Sequence, residues 1–237
     1  FLRHICIFLK LKRFYLHDDN VFSVSSIYKD LDTSVGKYID INKKKINAIY
    51  SYEDCALNSF KIAKKSNIKT IYDLTSPYWL LKKKIIEEEI NLQPDWNLSA
   101  TEISSENKCK NKDEEIVLSD QIIVASSFTA KSLELFEQNI KSKINIVPYG
   151  IACPERKIIN KRQKNDKLKI IFAGRPILSK GIQYLIQILE QLDLPWELEI
   201  AGSIPENPSQ ISEKLNLFFK DPRCNFLGQI SNNNLIK

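Results

Sequence analysis

Two basic side chains with the spacing of an anion site lie in one short loop of this sequence. Arg175 and Lys180 follow an apolar run, Ile170–Ala173, that is typical of a strand. Gly181 comes next and opens an apolar-periodic segment, Ile182–Leu192, which predicts an amphipathic helix. The free N–H groups and the positive dipole end of that helix would meet both cations at one place. The pattern therefore predicts a site for a diphosphate.

The loop differs from the two commonest nucleotide-binding sequences. Gly174 is followed five positions later by Ser179 and then by Lys180-Gly181, so the second glycine and the hydroxyl of G-x-x-x-x-G-K-[ST] are missing. Gly174-Arg-Pro also lacks the G-x-G-x-x-G of dinucleotide-binding folds. Both of these classes of nucleotide-binding protein are therefore disfavoured. The loop alone leaves one alternative open, a pair of solvated cations in a surface turn.

Predicted strands and helices alternate in the part of the chain before this loop. Between the first two apolar runs, Glu53–Lys65 carries apolar residues at helical spacing. After the third run, the hydroxyls of Ser126–Thr129 are candidate caps for a helix at Ala130–Glu137. The apolar runs are Ile46–Tyr50, Thr70–Leu74, Gln121–Ala125 and Ile144–Val147. This alternation is typical of βαβ units with a parallel sheet.

A second strand–helix series begins after a polar stretch and contains the loop. Beyond the loop we expect a strand at Glu197–Ala201, a helix at Gln210–Phe219 and a strand at Asn225–Gly228. The sequence thus predicts an α/β protein with two Rossmann-like domains, both incomplete. Their predicted limits are residues 1–151 for the N-terminal domain, 152–167 for a basic linker and 168–237 for the C-terminal domain.

Charge and cysteine usage narrow the functional classes. The net charge is +6, and most of the excess lies in residues 155–169. A short basic stretch without interleaved aromatic residues favours a solvated linker over a nucleic-acid interface, so no nucleic-acid partner is expected. The five cysteines lie far apart, without the C-x-x-C spacing of zinc or redox sites. A reducing, cytoplasmic compartment is the expectation.

The beginning of the chain raises two further expectations. The sequence contains no Met, so we interpret it as a fragment or a processed form. Phe1–Leu16 alternates apolar and basic residues, which favours an element of a domain that begins earlier, with peripheral membrane contact as the alternative. No apolar run has the length needed to span a bilayer.

Five motifs together resemble the retaining glycosyltransferases of the GT-B fold, particularly those of family 4. Phe172-Ala-Gly-Arg175 with Lys180-Gly-Ile182, and Leu198–Gly202, are similar to the donor half of that family. The segments Leu118–Phe128 and Lys143–Gly150 resemble the end of its acceptor-side domain, and Asn225–Gly228 resembles the next donor strand. Their order and spacing agree with the family over residues 46–237.

The resemblance implies an enzyme that transfers a hexose from a nucleoside-diphosphate sugar to a saccharide or lipid acceptor, with retention of configuration and without a metal. It implies that Gly174, Arg175, Lys180 and Gly181 bind the donor diphosphate. Cations and helix-end N–H groups at the departing diphosphate would stabilise the transition state more than the ground state. The donor is a substrate, so no cofactor is expected. The alternative is a catalytically incomplete fragment that only binds a nucleotide or a sugar, because the family's paired glutamates do not occur before Lys237.

On the acceptor side the sequence departs from the family. Many members carry a His after the strand that corresponds to Thr70–Leu74, and none follows that strand here. The catalytic residues therefore stay unassigned. Asp73 is a candidate for a polar site residue, with a strand-end or turn position as the favoured alternative. Tyr78, Trp79 and Trp96 are candidates for a sugar-stacking platform, with burial in an apolar core as the favoured alternative.

Overall fold

A computed structural model describes residues 2–15, 20–96, 104–150, 167–203 and 213–231. The chain divides into two compact units. The first comprises residues 1–86 and 101–150, and the second comprises residues 87–100 and 151–237. The polar stretch at 151–166, which includes most of the predicted linker, lies outside the described residues.

The first unit contains a parallel sheet of four strands. In chain order, its strands are β1 (Ala48–Tyr52), β2 (Lys69–Leu74), β3 (Gln121–Val124) and β4 (Ile144–Ile146). The strands lie side by side in the order β1-β2-β3-β4, and every neighbouring pair is parallel. The prediction of four strands in a parallel sheet is therefore confirmed.

Six α-helices lie in the described residues between 2 and 132. They are α1 (Leu2–Phe8), α2 (Val24–Asn42), α3 (Leu57–Lys65), α4 (Trp79–Leu92), α5 (Glu106–Leu118) and α6 (Ser127–Ser132). The predicted cap of α6 is confirmed, because the Ser126 hydroxyl accepts the N–H of Thr129 at 3.1 Å. The α-helix is shorter than the predicted Ala130–Glu137, and a 3-10 helix at Leu133–Leu135 follows it.

The core of the first unit lies on one face of the sheet. Alternate residues of β2 and β3, such as Tyr72, Ile122 and Val124, are fully buried there. Phe60 of α3 and Ile116 of α5 pack against them, and both are also fully buried. Successive side chains of a strand point to opposite faces of the sheet, so each strand also presents side chains to the face opposite this core.

The second unit contains a parallel sheet of three strands. These are β5 (Leu168–Ala173), β6 (Trp196–Ala201) and β7 (Cys224–Gly228), in that spatial order. Helices α7 (Ile182–Gln191) and α8 (Glu213–Phe218) follow β5 and β6. The predicted series is confirmed, with α7 ending one residue before the predicted Leu192; residues 210–212, where the second helix was predicted to begin, lie outside the described residues.

The packing of Glu87–Ala100 differs from the predicted domain limits. Sequence reasoning placed this segment in the first domain, whereas it belongs to the second compact unit. The physical reason is Trp96, which is 2% exposed and lies in the apolar core formed by Ile182, Ile186 and their neighbours. Burying an indole of this size stabilises the contact by about 2 kcal/mol or more, which exceeds any preference of local sequence.

Candidate functional site

The predicted diphosphate loop begins where β5 ends. Gly174 has a φ of 139° and donates its N–H to the carbonyl oxygen of Ala201 at 2.8 Å. The chain then turns back through a 3-10 helix at Leu178–Lys180, where the N–H of Lys180 donates to Ile177 at 2.9 Å. The loop therefore lies at the carboxyl end of the strand, which is where parallel α/β sheets bind ligands.

Gly181 is the residue at which α7 begins. It adopts a left-handed conformation with a φ of 75°, which a residue with a Cβ adopts only with strain. No side chain caps the helix at this residue. The first-turn N–H groups of α7 are thus without a capping side chain, as an anion site at a helix start requires.

The two cations of the loop are exposed. Within the described residues, neither the guanidinium of Arg175 nor the ammonium of Lys180 has a hydrogen bond or an ion pair, whereas Lys167 pairs with Glu197 at 2.7 Å. An unpaired charge attracts an anionic ligand without first breaking a contact. The assignment of Gly174, Arg175, Lys180 and Gly181 to a diphosphate stays a prediction, and the geometry accommodates it.

Gly202 holds the end of β6 against the start of the loop. A Cβ at this position would lie 2.0 Å from the carbonyl oxygen of Gly174 and 2.6 Å from its carbonyl carbon. The N–H of Gly202 donates to the carbonyl oxygen of Gly228 at 2.8 Å. Only glycine permits this approach, so the three strand ends are packed too closely for a side chain at residue 202.

Asp73 lies within β2, one residue before the strand ends. It is 4% exposed, and its carboxylate accepts a short hydrogen bond from the hydroxyl of Tyr50. This bond, together with burial and the charge of Asp73, raises the pKa of Tyr50 above its ordinary value. The structure therefore places Asp73 in a partnered pair on the sheet rather than in a free turn.

A buried ionic cluster lies beyond the carboxyl end of β1. Glu53 accepts hydrogen bonds from Ser76 at 2.6 Å, from Thr75 at 3.2 Å and from Lys112 at 2.8 Å. Burial opposes the ionisation of Glu53, but the charge and hydrogen bond of Lys112 and the two hydroxyls outweigh it, so its pKa is lowered. Lys112 also lies 3.4 Å from Asp54. The cluster keeps a carboxylate ionised at the edge where the strands end.

Three exposed tyrosines accompany Asp73, and the sequence analysis did not identify them. Tyr50, Tyr52 and Tyr149 are 51%, 56% and 68% exposed. The rings of Tyr50 and Tyr52 meet edge to face with centroids 5.8 Å apart. Burial and the charges of Asp73, Tyr52 and Glu53 raise the pKa of Tyr149, so these groups lie within electrostatic range of each other. The signal was the spacing of two residues between Tyr50 and Tyr52, which places both on one face of a strand. The predicted strand ended at Tyr50, whereas β1 extends to Tyr52.

The stacking platform considered for Tyr78, Trp79 and Trp96 does not form, and the packing alternative is confirmed. Tyr78 is 5% exposed, and its hydroxyl donates to Asp113 at 2.8 Å. The indole N–H of Trp79 donates to the same carboxylate oxygen at 2.7 Å. Trp96 lies in the core of the second unit.

Some expectations concern residues that the structure does not describe. His17, Cys153 and most of the basic stretch 155–169 are among them. In the described part of the chain, no three His, Cys, Asp or Glu side chains come together as metal ligands. Among the described helices, none combines the length and the apolar character needed to cross a membrane.

Comparisons with known proteins show the fold. No family model matches the sequence, and no curated protein does either. Among solved structures, the ligand-free lipopolysaccharide outer core galactosyltransferase WaaB matches with a TM-score of 0.53 at 12% identity, covering 88% of this chain and 50% of that protein. Anabaena Alr3699/HepE in complex with UDP matches with a TM-score of 0.55 at 14% identity, covering 83% and 52%.

A third structure extends the set of proteins that share this fold. A UDP-N-acetylglucosamine 2-epimerase described as putative, from Listeria monocytogenes, matches with a TM-score of 0.50 at 7% identity, covering 91% of this chain and 55% of that protein. The chain thus spans about half the length of the structures that it matches. At these identities the likeness establishes architecture, and it confirms an α/β protein with Rossmann-like units of the GT-B type.

Proposed function

We propose that this protein takes part in glycosyl transfer from a nucleoside-diphosphate sugar and that its second unit binds the donor. The observation that carries the proposal is the pair of exposed cations, Arg175 and Lys180, which have no partner in the described residues and flank the uncapped start of α7. One matched protein of this fold class, Anabaena Alr3699/HepE, was determined with UDP, with UDP-glucose, and with UDP and glucose. A site of this charge and position suits such a ligand.

We further propose how the sugar is transferred. The bond between the sugar C1 and the diphosphate oxygen breaks, its electron pair leaves with the diphosphate, and C1 bonds to an acceptor hydroxyl that loses its proton. Arg175 and Lys180 stabilise the leaving charge in place of a metal ion. Retention of configuration and membership of family 4 rest on the motif resemblance alone.

For the acceptor we propose a saccharide or a lipid-linked hydroxyl that binds at the carboxyl edge of the first sheet. Asp73 and the tyrosines around it supply carboxylate and aromatic groups there. We also propose a cytoplasmic protein with peripheral membrane contact through the end of α1, where Phe8 is 84% exposed, and the adjoining Leu9, which is 56% exposed. Sedimentation with anionic vesicles tests that contact, and an unbound protein at low salt would contradict it.

The test of the donor site uses the full-length gene product. Lys180→Ala removes one of the two diphosphate contacts, so we expect donor KM to rise or kcat to fall by about tenfold or more. Lys167→Ala, which removes a paired lysine of the same unit, is the matched control and should leave both constants nearly unchanged. Wild-type kinetics for Lys180→Ala would contradict the proposal.

The epimerase among the matched structures supports a second candidate function, isomerisation of a UDP-sugar in the same fold. Proton NMR of a reaction with a UDP-sugar separates the two. An epimer that forms without any acceptor indicates isomerisation, whereas product that requires an acceptor indicates transfer. The same spectra report the anomeric configuration, and unchanged rates in EDTA would support a metal-independent reaction.

A further inference from the structure

Glu89 makes two hydrogen bonds to the first turn of α7. One of its carboxylate oxygens accepts the side-chain N–H of Gln183 at 2.8 Å, and the other accepts the hydroxyl of Tyr184 at 2.7 Å. Gln183 is 1% exposed, so this contact is shielded from water. The two partners lie two and three residues after Gly181, at the helix end that the donor loop enters.

The first turn of α7 needs such an external support. Its start is Gly181 in a left-handed conformation without a side-chain cap, and the N–H groups of Tyr184 and Leu185 reach the Gly181 carbonyl only at 3.2 Å. A carboxylate that holds two consecutive residues of this turn restricts the direction in which its free N–H groups point. It also restricts Lys180, which is the residue immediately before Gly181.

We infer that Glu89 is a positioning residue for donor binding, since it holds the α7 first turn in the orientation in which the helix start and Lys180 meet a nucleoside diphosphate. Glu89 does not itself touch the ligand in this account. This inference rests on the proposed function of the loop. It adds to the donor site a residue, Glu89, that is far from the loop in sequence.

The molecule contains a matched control for this contact. One helical turn after Glu89 and Gln183, the side-chain N–H of Gln187 donates to the side-chain oxygen of Gln93 at 2.9 Å. This pair joins the same two segments, but it lies farther from the donor loop. Because Gln93 also interacts with the Tyr184 hydroxyl, the control substitution is made at Gln187. A contact that only holds the segments together should matter equally at both positions, whereas a contact that orients the loop should matter only at Glu89.

The experiment measures UDP affinity by isothermal titration calorimetry on the full-length gene product, together with the melting temperature of each ligand-free variant. We expect Glu89→Ala to weaken UDP binding by about tenfold, as for a typical coupling between two sites. Gln187→Ala should change the affinity by less than about twofold, since its coupling to the site is weaker. Glu89→Gln keeps an oxygen that accepts one of the two bonds, so it should restore part of the affinity.

Tyr184→Phe removes only one hydroxyl and keeps the inference testable if Glu89→Ala fails to fold. We expect it to weaken UDP binding by about threefold, with little change in melting temperature. Equal losses of affinity in Glu89→Ala and Gln187→Ala, or wild-type affinity in both Glu89→Ala and Tyr184→Phe, would overturn the inference. Lys180→Ala distinguishes failure of the diphosphate site from failure of the Glu89 inference. A normal UDP affinity in that variant contradicts the diphosphate site itself, whereas a weakened affinity supports it.

Discussion

Glu115 shows how burial alters a single carboxyl group in this protein. It is 2% exposed and accepts the backbone N–H groups of Ala56 at 3.0 Å and Asp54 at 3.1 Å. Burial dominates over these two hydrogen bonds and, with the charge of Asp54, raises the pKa of Glu115 to about 7. The turn that connects β1 to α3 is thus held by a carboxyl group that titrates near neutral pH.

A pH dependence of stability follows from this shift. The pKa of Glu115 in the folded protein is about 7, above its ordinary value of 4.5. The folded state therefore binds the proton more tightly, and the stabilisation is full below about pH 4.5 and is lost as pH rises through 7. We expect the free energy of unfolding of the wild type to fall over this window relative to that of Glu115→Gln, measured by urea denaturation.

The glutamine variant also leaves one of the two N–H groups without a carboxylate oxygen. This loss lowers its stability by about 1–2 kcal/mol at every pH, so the difference in slope, not the offset, is the diagnostic quantity. Glu114→Gln, which changes the adjacent and more exposed side chain, is the control and should keep the wild-type slope. Parallel curves for wild type and Glu115→Gln would contradict the prediction.

At the scale of the element, α5 is fixed to the carboxyl end of β1 by charge as well as by apolar packing. Lys112 of α5 is 8% exposed and lies between Glu53 and Asp54, which follow β1 directly. Lys108, one turn earlier on the same helix, lies 3.3 Å from Asp54. Lys110 of the same helix instead pairs with Glu106 on the solvent side, with both side chains largely exposed.

Replacing lysine by methionine should lower the free energy of unfolding much more in the buried ion pair than in the exposed one. Lys112→Met leaves the buried carboxylate of Glu53 without a cation, while Asp54 keeps Lys108, and it should lower the free energy of unfolding by roughly 3 kcal/mol. Lys110→Met breaks only the exposed pair and should change it by less than about 0.5 kcal/mol. Chemical denaturation of both variants measures the difference, and similar values for the two would contradict a buried cluster. Adding Glu53→Gln to Lys112→Met should restore part of the loss.

At the scale of the whole molecule, the division into two units separates the two candidate half-sites. Asp73 and its tyrosines belong to the first unit, and the cationic loop with Glu89 belongs to the second. Each sheet has its own apolar core. The donor site and the acceptor site that we propose therefore belong to different compact units of the chain.

This separation predicts a local response to nucleotide. Saturating UDP should slow amide hydrogen exchange in β5–β7 and α7 of the full-length gene product, because a ligand stabilises the unit that binds it. Exchange in β1–β4 should stay nearly unchanged. Lys180→Ala should abolish the protection, and peptide-resolved mass spectrometry measures all three outcomes. Equal protection of both sheets would contradict a donor site confined to the second unit.

Local signals in the sequence were sufficient to predict the α/β class, the parallel sheets and the start of α7. Residue periodicity, serine caps and glycine at Gly181 are local signals, and the structure confirms the strand at Glu197–Ala201 with only Trp196 added. The contacts between groups far apart in the chain could not be predicted from the sequence and are seen in the tertiary structure alone. The hydrogen bond of Tyr50 to Asp73, the ion pair of Lys112 with Glu53 and the contacts of Glu89 with α7 each join segments far apart in the chain. Such pairs form because packing the sheets and helices brings their side chains together, and local propensity carries no information about which segments become neighbours.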